Sequence, residues 1–202
     1  KQSGGRGQYG EVYLKVGPRS EGDEDWYVND TVGGSIPGNF IPAIEKGVVE
    51  PMVHGSVAGY PVVGIKVRVY DGSFHDVDSS EMAFKLAATL AFKKGIAEAK
   101  PVLLEPIYEV AVTVPDEFMG SIIGDLNSRR GRILGMEPLG GLQIVKARVP
   151  LAEMYKYATD LKSMTQSRAD FTMEFSSYEE VPANVTDQII KEYKTADEEA
   201  EA

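Results

Sequence analysis

Gly72-Ser73-Phe74-His75-Asp76-Val77-Asp78-Ser79-Ser80-Glu81 joins a stretch that reads as a strand to one that reads as a helix, and the first half of the fold is built around it. Upstream, Val63, Ile65, Val67 and Val69 alternate with Gly64, Lys66 and Arg68, which predicts a strand over Val62 to Tyr70. Downstream, Met82, Leu86 and Leu90 recur at i, i+4 and i+8, which predicts a helix from Ser79 to about Lys94. Asp78 is the expected N-cap, with Glu81 three residues on, and Lys93, Lys94 and Gly95 are expected to close the helix. Further back, Gln8 to Val16 has the β-branched and aromatic content of a second strand in the same sheet. Between the strands, Pro18 to Asp25 reads as an acidic surface loop and Gly33 to Gly38 as a turn before a shorter helix at Phe40 to Met52.

Moving forward, Ala99-Lys100-Pro101 is a break, and a new unit begins. Its pattern is a strand at Ile107 to Val114, a helix at Asp116 to Arg130 with Phe118, Ile122 and Leu126 on one face, and a strand pair at Arg132 to Met136 and Leu142 to Val149. A helix at Leu151 to Met164 and a strand at Asp170 to Phe175 complete it. The order β-α-β-β-α-β is the ferredoxin-like split pattern. The expected fold class is therefore α+β with two domains, residues 1–101 and 102–182, followed by a tail over 183–202. In the tail Val185, Ile189 and Ile190 suggest one helical stretch, and the acidic end is expected to be disordered.

The 202 residues, 43% of them hydrophobic, suffice for real cores. The absence of cysteine removes disulfides and thiolate metal sites and fits a reducing cytoplasm, the expected location. No apolar run reaches the roughly 20 residues of a membrane-spanning helix, so no membrane partner is expected. The start at Lys1, inside a motif and without Met, suggests a fragment. Net charge is −10, divided as −2, −4 and −4 over residues 1–101, 102–182 and 183–202, which argues against a tight nucleic-acid binder. Any RNA contact must then be local, through Lys1, Arg6, Arg129, Arg130 and Arg132.

The run Lys1-Gln2-Ser3-Gly4-Gly5-Arg6-Gly7-Gln8-Tyr9-Gly10, the loop Gly72 to Glu81, Leu104-Glu105-Pro106 and Gly124-Asp125-Leu126-Asn127-Ser128-Arg129-Arg130-Gly131 together resemble the C-terminal part of bacterial elongation factor G, the GTPase that moves tRNA and mRNA through the ribosome. The resemblance spans Lys1 to about Val185 in unbroken order. It implies a first domain like domain IV, with the fold of the second domain of ribosomal protein S5, then a ferredoxin-like domain V, and a final helix returning to the first domain. It also implies that Gln2, Ser3, Gly4, Gly5, Arg6, His75 and Asp76 contact tRNA and mRNA at the decoding site. Domain V would lie against the sarcin-ricin loop and stalk base, with Arg129, Arg130 and Arg132 as candidates for rRNA phosphates. Two stretches, Met52-Val53-His54-Gly55-Ser56 and Glu137-Pro138-Leu139-Gly140-Gly141-Leu142, depart from the family pattern and fit a diverged paralogue.

Each motif also has a plainer reading. The glycines at 4, 5, 7 and 10 cannot form a P-loop, because Glu11 and a strand follow in place of Lys-Ser/Thr and a helix; mobility and close backbone approach are what they supply. On residue types alone His75 is a solvated loop histidine, and the only other histidine, His54, gives no metal set. Asp76, Asp78 and Glu81 read most simply as helix-capping and dipole-stabilising groups. Arg129, Arg130 and Arg132 stand near a helix C-terminus, where the dipole alone favours cations. No catalytic, cofactor or metal residue is expected in this chain; GTP and Mg²⁺ belong to the missing half of the parent. The expected function is the C-terminal half of a monomeric translocase acting on the ribosome. A paralogue acting in ribosome recycling or without translocase activity is the alternative within the class, and a ferredoxin-like protein-interaction module the rival outside it.

Overall fold

In the computed structural model, residues 8–55 and 57–201 are described, with side chains through residue 196. Residues 1–101 and 186–202 form one compact unit and residues 102–185 another.

In the first unit, β1 (Glu11–Pro18) pairs antiparallel with β3 (Ile65–Ser73), and the short β2 (Tyr27–Asn29) lies parallel on the other side of β3. The two expected strands do share a sheet. β3, however, starts three residues later than the alternation indicates, because Gly64 takes φ +68° and Val63 is left 65% exposed. β2 has too few residues to show a period, so the sequence did not reveal it. Helices α1 (Ile41–His54) and α2 (Glu81–Glu98) cover the sheet, burying Ile44, Val48, Phe84, Ala88, Phe92 and Ile96 against Val67 and Val69. The helix cap is Ser80, not Asp78: its backbone is extended and its Oγ accepts the Ala83 N–H at 3.1 Å. α2 also runs through Gly95 to Glu98. The largest correction concerns its face. Met82, Leu86 and Leu90 are exposed, while the row containing Ala83, Phe84, Ala88, Phe92 and Ile96 is buried.

In the second unit, β4 (Leu104–Pro115), α3 (Met119–Ser128), β5 (Arg132–Leu139), β6 (Leu142–Pro150), α4 (Tyr157–Met164) and β7 (Asp170–Glu180) follow in the expected order. The sheet order β5-β6-β4-β7 with every neighbour antiparallel is the ferredoxin-like arrangement. Gly140 and Gly141, at φ +55° and +86°, form the two-residue hairpin between β5 and β6, a turn that needs positive φ at both positions. Val110, Val112, Val114, Ile122, Leu126, Val145, Tyr157 and Leu161 make the core. The helix expected from Leu151 to Met164 is interrupted: a 3-10 turn covers Leu151–Met154, and α4 starts only after Lys156, which sits at φ +61°.

The tail differs from expectation as well. α5 runs from Ala183 to Glu201, through the stretch expected to be disordered. Ala, Glu and Lys are strong helix formers, and the Gln188 amide donates to Glu192 one turn on at 2.9 Å. Within the first unit Tyr193 packs on Gly59, where an added Cβ would lie 2.7 Å from the ring.

Candidate nucleic-acid interface

β1 begins and β3 ends at the same rung, Glu11 opposite Ser73, so residues 8–10 and the loop after Ser73 leave the sheet side by side. Beyond that rung the two strands of chain remain stitched. Tyr9 N–H donates to Asp78 O at 3.0 Å, and Ser79 Oγ donates to Tyr9 O at 3.0 Å. Gly10 allows this approach: a Cβ there would sit 3.1 Å from the Ala83 carbonyl at the start of α2.

The loop itself is a compact turn with its side chains outward. His75 N–H donates to Ser79 Oγ at 2.9 Å and Ser79 N–H donates back to His75 O at 3.0 Å. Val77 N–H donates to His75 Nδ1 at 3.3 Å, which makes Nδ1 an acceptor and leaves Nε2–H as a donor. Asp78 Oδ2 lies 3.5 Å from the same Nδ1, ready to pair with the ring in its protonated form. Phe74, His75, Asp76 and Val77 are all exposed. A fixed backbone thus presents an aromatic ring, an imidazole and a carboxylate to solvent. Of the decoding-site candidates, His75 and Asp76 lie in this crest; Gln2, Ser3, Gly4, Gly5 and Arg6 lie outside the described residues.

The arginines of the second unit are arranged differently from a row of free cations. Arg129 donates to Asp125 Oδ2 at 2.9 Å, Asp160 Oδ2 at 2.6 Å and Glu153 O at 2.8 Å, with its guanidinium 5.0 Å from the Tyr157 ring centre. Arg130 donates twice to the Glu105 carboxylate, at 2.7 and 2.8 Å, and once to Glu153 at 2.7 Å. Burial favours loss of the Arg129 proton, but the bonds to Asp125 and Asp160 outweigh it and hold the group charged; at Arg130 the Glu105 pair does so more strongly. The Arg132 side chain makes no ion pair or hydrogen bond with a described residue, its backbone being paired with Arg148 in the sheet. It lines a cleft of about 200 Å³ with Arg130, Arg148, Glu105 and Glu179. Of the three candidates, then, Arg129 and Arg130 spend their donors inside the domain, and Arg132 keeps its own.

Residues 1–100 match the family described as elongation factor G, domain IV, and residues 102–189 match the elongation factor G C-terminus. The chain belongs to the elongation factor G family. Among solved structures it is similar to the crystal structure of ttk003000868 from Thermus thermophilus, at 48% identity and a TM-score of 0.81. That match covers 96% of this chain and 29% of the other. The chain thus spans less than a third of that relative, and it contains elongation factor G domains IV and V without a GTPase domain among the matches. No helix among the described residues is long and apolar enough to cross a membrane, and no group of His, Asp or Glu there could hold a metal ion.

Sequence reasoning singled out the loop and its histidine but not the residues that hold it: Ser79, whose hydroxyl bridges both chain segments, and Ser80, the cap of α2. The triplet Asp78-Ser79-Ser80 offers three capping side chains in a row, and composition cannot rank them.

Proposed function

We infer that this chain is the ribosome-facing, C-terminal part of a translation factor that promotes GTP-dependent movement of tRNA and mRNA, with the crest at Phe74 to Val77 entering the decoding site. The observation that carries this reading is the exposed His75, held through its backbone and Nδ1 so that Nε2–H faces outward. A donor of this kind suits the shallow minor groove of a codon–anticodon helix, where 2′-hydroxyls and backbone are read with little regard to base identity. A factor that moves every tRNA needs that indifference. Arg132 supports the second expected contact, with rRNA phosphates of the sarcin-ricin loop or stalk base; Arg129 and Arg130 contribute by shaping the surface around it. GTP and Mg²⁺ belong to a part of the parent outside this chain, which has no Gly-x-x-x-x-Gly-Lys-Ser/Thr stretch. The action of these two domains is accordingly steric and conformational, in a monomer working in the cytoplasm.

The test is His75→Ala in the full-length factor, with both steps followed by rapid kinetics on one preparation. Translocation slows while ribosome-stimulated GTP hydrolysis stays nearly unchanged, because the substitution touches only the step that uses the crest. Normal movement would overturn the decoding-site role and turn the reading toward a recycling paralogue.

A further inference from the structure

At the rung where both loops leave the sheet, one carboxylate gathers three hydroxyls. Glu11 Oε2 accepts from Ser73 Oγ at 2.6 Å and lies 3.3 Å from Tyr9 Oη; Glu11 Oε1 accepts from Tyr13 Oη at 2.7 Å. Tyr9 Oη and Ser73 Oγ are themselves 2.5 Å apart, and with the Ser73 proton committed to Glu11 the tyrosine is the donor. We propose that Glu11 is a positioning residue, clasping Tyr9 to the end of β3 at Ser73 so that the chain at Gln8 to Gly10 and the crest at His75 move as one piece. The link to tRNA movement rests on the function proposed above; the clasp itself does not.

Three features make this more than a surface hydrogen bond. Ladder bonding between β1 and β3 starts at Glu11–Ser73, whereas Tyr9 lies beyond it, so the clasp reaches past what the sheet already holds. Ser73 stands two residues before His75, and Tyr9 bonds to Asp78 and Ser79 on the far side of the crest, so the Glu11 cluster acts on the crest from both ends. The strands are also packed tightly here: a Cβ on Gly72 would fall 2.4 Å from Glu11 O, leaving no room for the rung to slide. Both carboxylate oxygens are occupied, and the Ser73 bond foremost, then that of Tyr13, holds the Glu11 carboxyl below the usual carboxylate range. Without Glu11, Ser73 and Tyr13 lose their acceptor, and Tyr9 loses the fixed serine oxygen to which it donates.

The experiment is residue-resolved amide exchange on this 202-residue chain, comparing Glu11 with Glu11→Ala and Glu11→Gln. In Glu11→Ala the amides of Tyr9 and Ser79 exchange about tenfold faster, while Val67 in the middle of β3 is unchanged, because local opening and global unfolding are separate events. Glu11→Gln, which keeps the length and one carbonyl oxygen, gives a smaller rise. Unchanged exchange at Tyr9 and Ser79, or an equal rise at Val67, overturns the clasp. A second arm places Glu11→Ala beside His75→Ala in the full-length factor. Slower translocation in both supports the clasp as a positioning device. Normal movement in Glu11→Ala with slowed movement in His75→Ala overturns its positioning role, and normal movement in both sinks the functional reading while the exchange result still judges the clasp.

Discussion

Of the four non-glycine residues of the second domain that hold left-handed backbone conformations, Arg130, Lys156, Gln166 and Ser167, the first two have side chains that set opposite expectations. Lys156, at φ +61°, precedes α4 with its ammonium lying over the Tyr155 ring and no side-chain bond to the helix. Lys156→Gly relieves a strain of about 1–2 kcal/mol and gives some of it back in unfolded-state entropy, so the domain gains about 0.5–1 kcal/mol in denaturant unfolding. Arg130, at φ +58°, has the same strain, yet it ties Glu105 on β4 to Glu153 beyond β6. Arg130→Gly therefore loses about 2 kcal/mol despite the easier backbone. The Glu11 clasp adds a pH signature. Its folded value is depressed, so its contribution is present above the ordinary glutamate value of about 4.3 and is lost as pH falls through the folded one. In an NMR titration the Tyr9 and Tyr13 ring signals step below about pH 4.3, and the step is absent in Glu11→Gln. None of these partnerships could be read in advance. Arg129 and Arg130 were visible as cations at a helix end, but Glu105, Glu153 and Asp160 stand between 23 and 31 residues away and are brought in only by the sheet and the 3-10 turn.

Among the elements, the contact of α1 with α2 depends on two residues that break helical rules. Pro51 lies inside α1 and has no N–H to give the carbonyl four residues back, which is that of Gly47. The hydroxyl of Thr89 of α2 faces this carbonyl, its Oγ1 lying 2.8 Å from Gly47 O and 3.0 Å from Lys85 O, the two acceptors sharing its one proton. Gly47 in turn lets the helices meet, since a Cβ there would lie 2.3 Å from Lys85 O and 2.9 Å from the Ala88 Cβ. Thr89→Val, which keeps shape and removes the donor, costs about 1 kcal/mol. Gly47→Ala forces the helices apart at a cost of about 2 kcal/mol, read as a lower denaturant midpoint. This crossing also explains which face of α2 is buried. α2 carries a row of large apolar residues and a second row mixing alanine with phenylalanine; the second is buried because only its alanines admit α1 so closely. Periodicity identified the helix but held no information on that choice. The break at Lys156 was hidden for a related reason: Leu151 to Met164 has helical spacing throughout, and nothing in composition marks a lysine with positive φ. The β-α-β-β-α-β order, by contrast, was legible because each of its strands and helices is long enough to show its own period.

At the scale of the molecule, the two units have separate cores, one around Phe84 and Phe92 and the other around Tyr157 and Ile122. Residues 102–185 expressed alone should unfold in one cooperative denaturant transition, and a broad, non-cooperative melt would show that they lean on the rest of the chain. A chain ending at Val185 should retain that transition unchanged while residues 1–101 unfold at lower denaturant, having lost Tyr193 from its seat on Gly59.

That seat has a consequence for how the protein is made. Chains grow from the N-terminus, and domains generally fold as they emerge. Here the first unit emerges first but is completed last: the tyrosine that packs on Gly59 is synthesised after the whole second unit. A nascent chain therefore carries its tip-bearing domain in an unfinished state until every residue of the second unit has been added. The helix that completes it leaves the exit tunnel only after that, so a product truncated within the second unit would bear a crest on a loosened base.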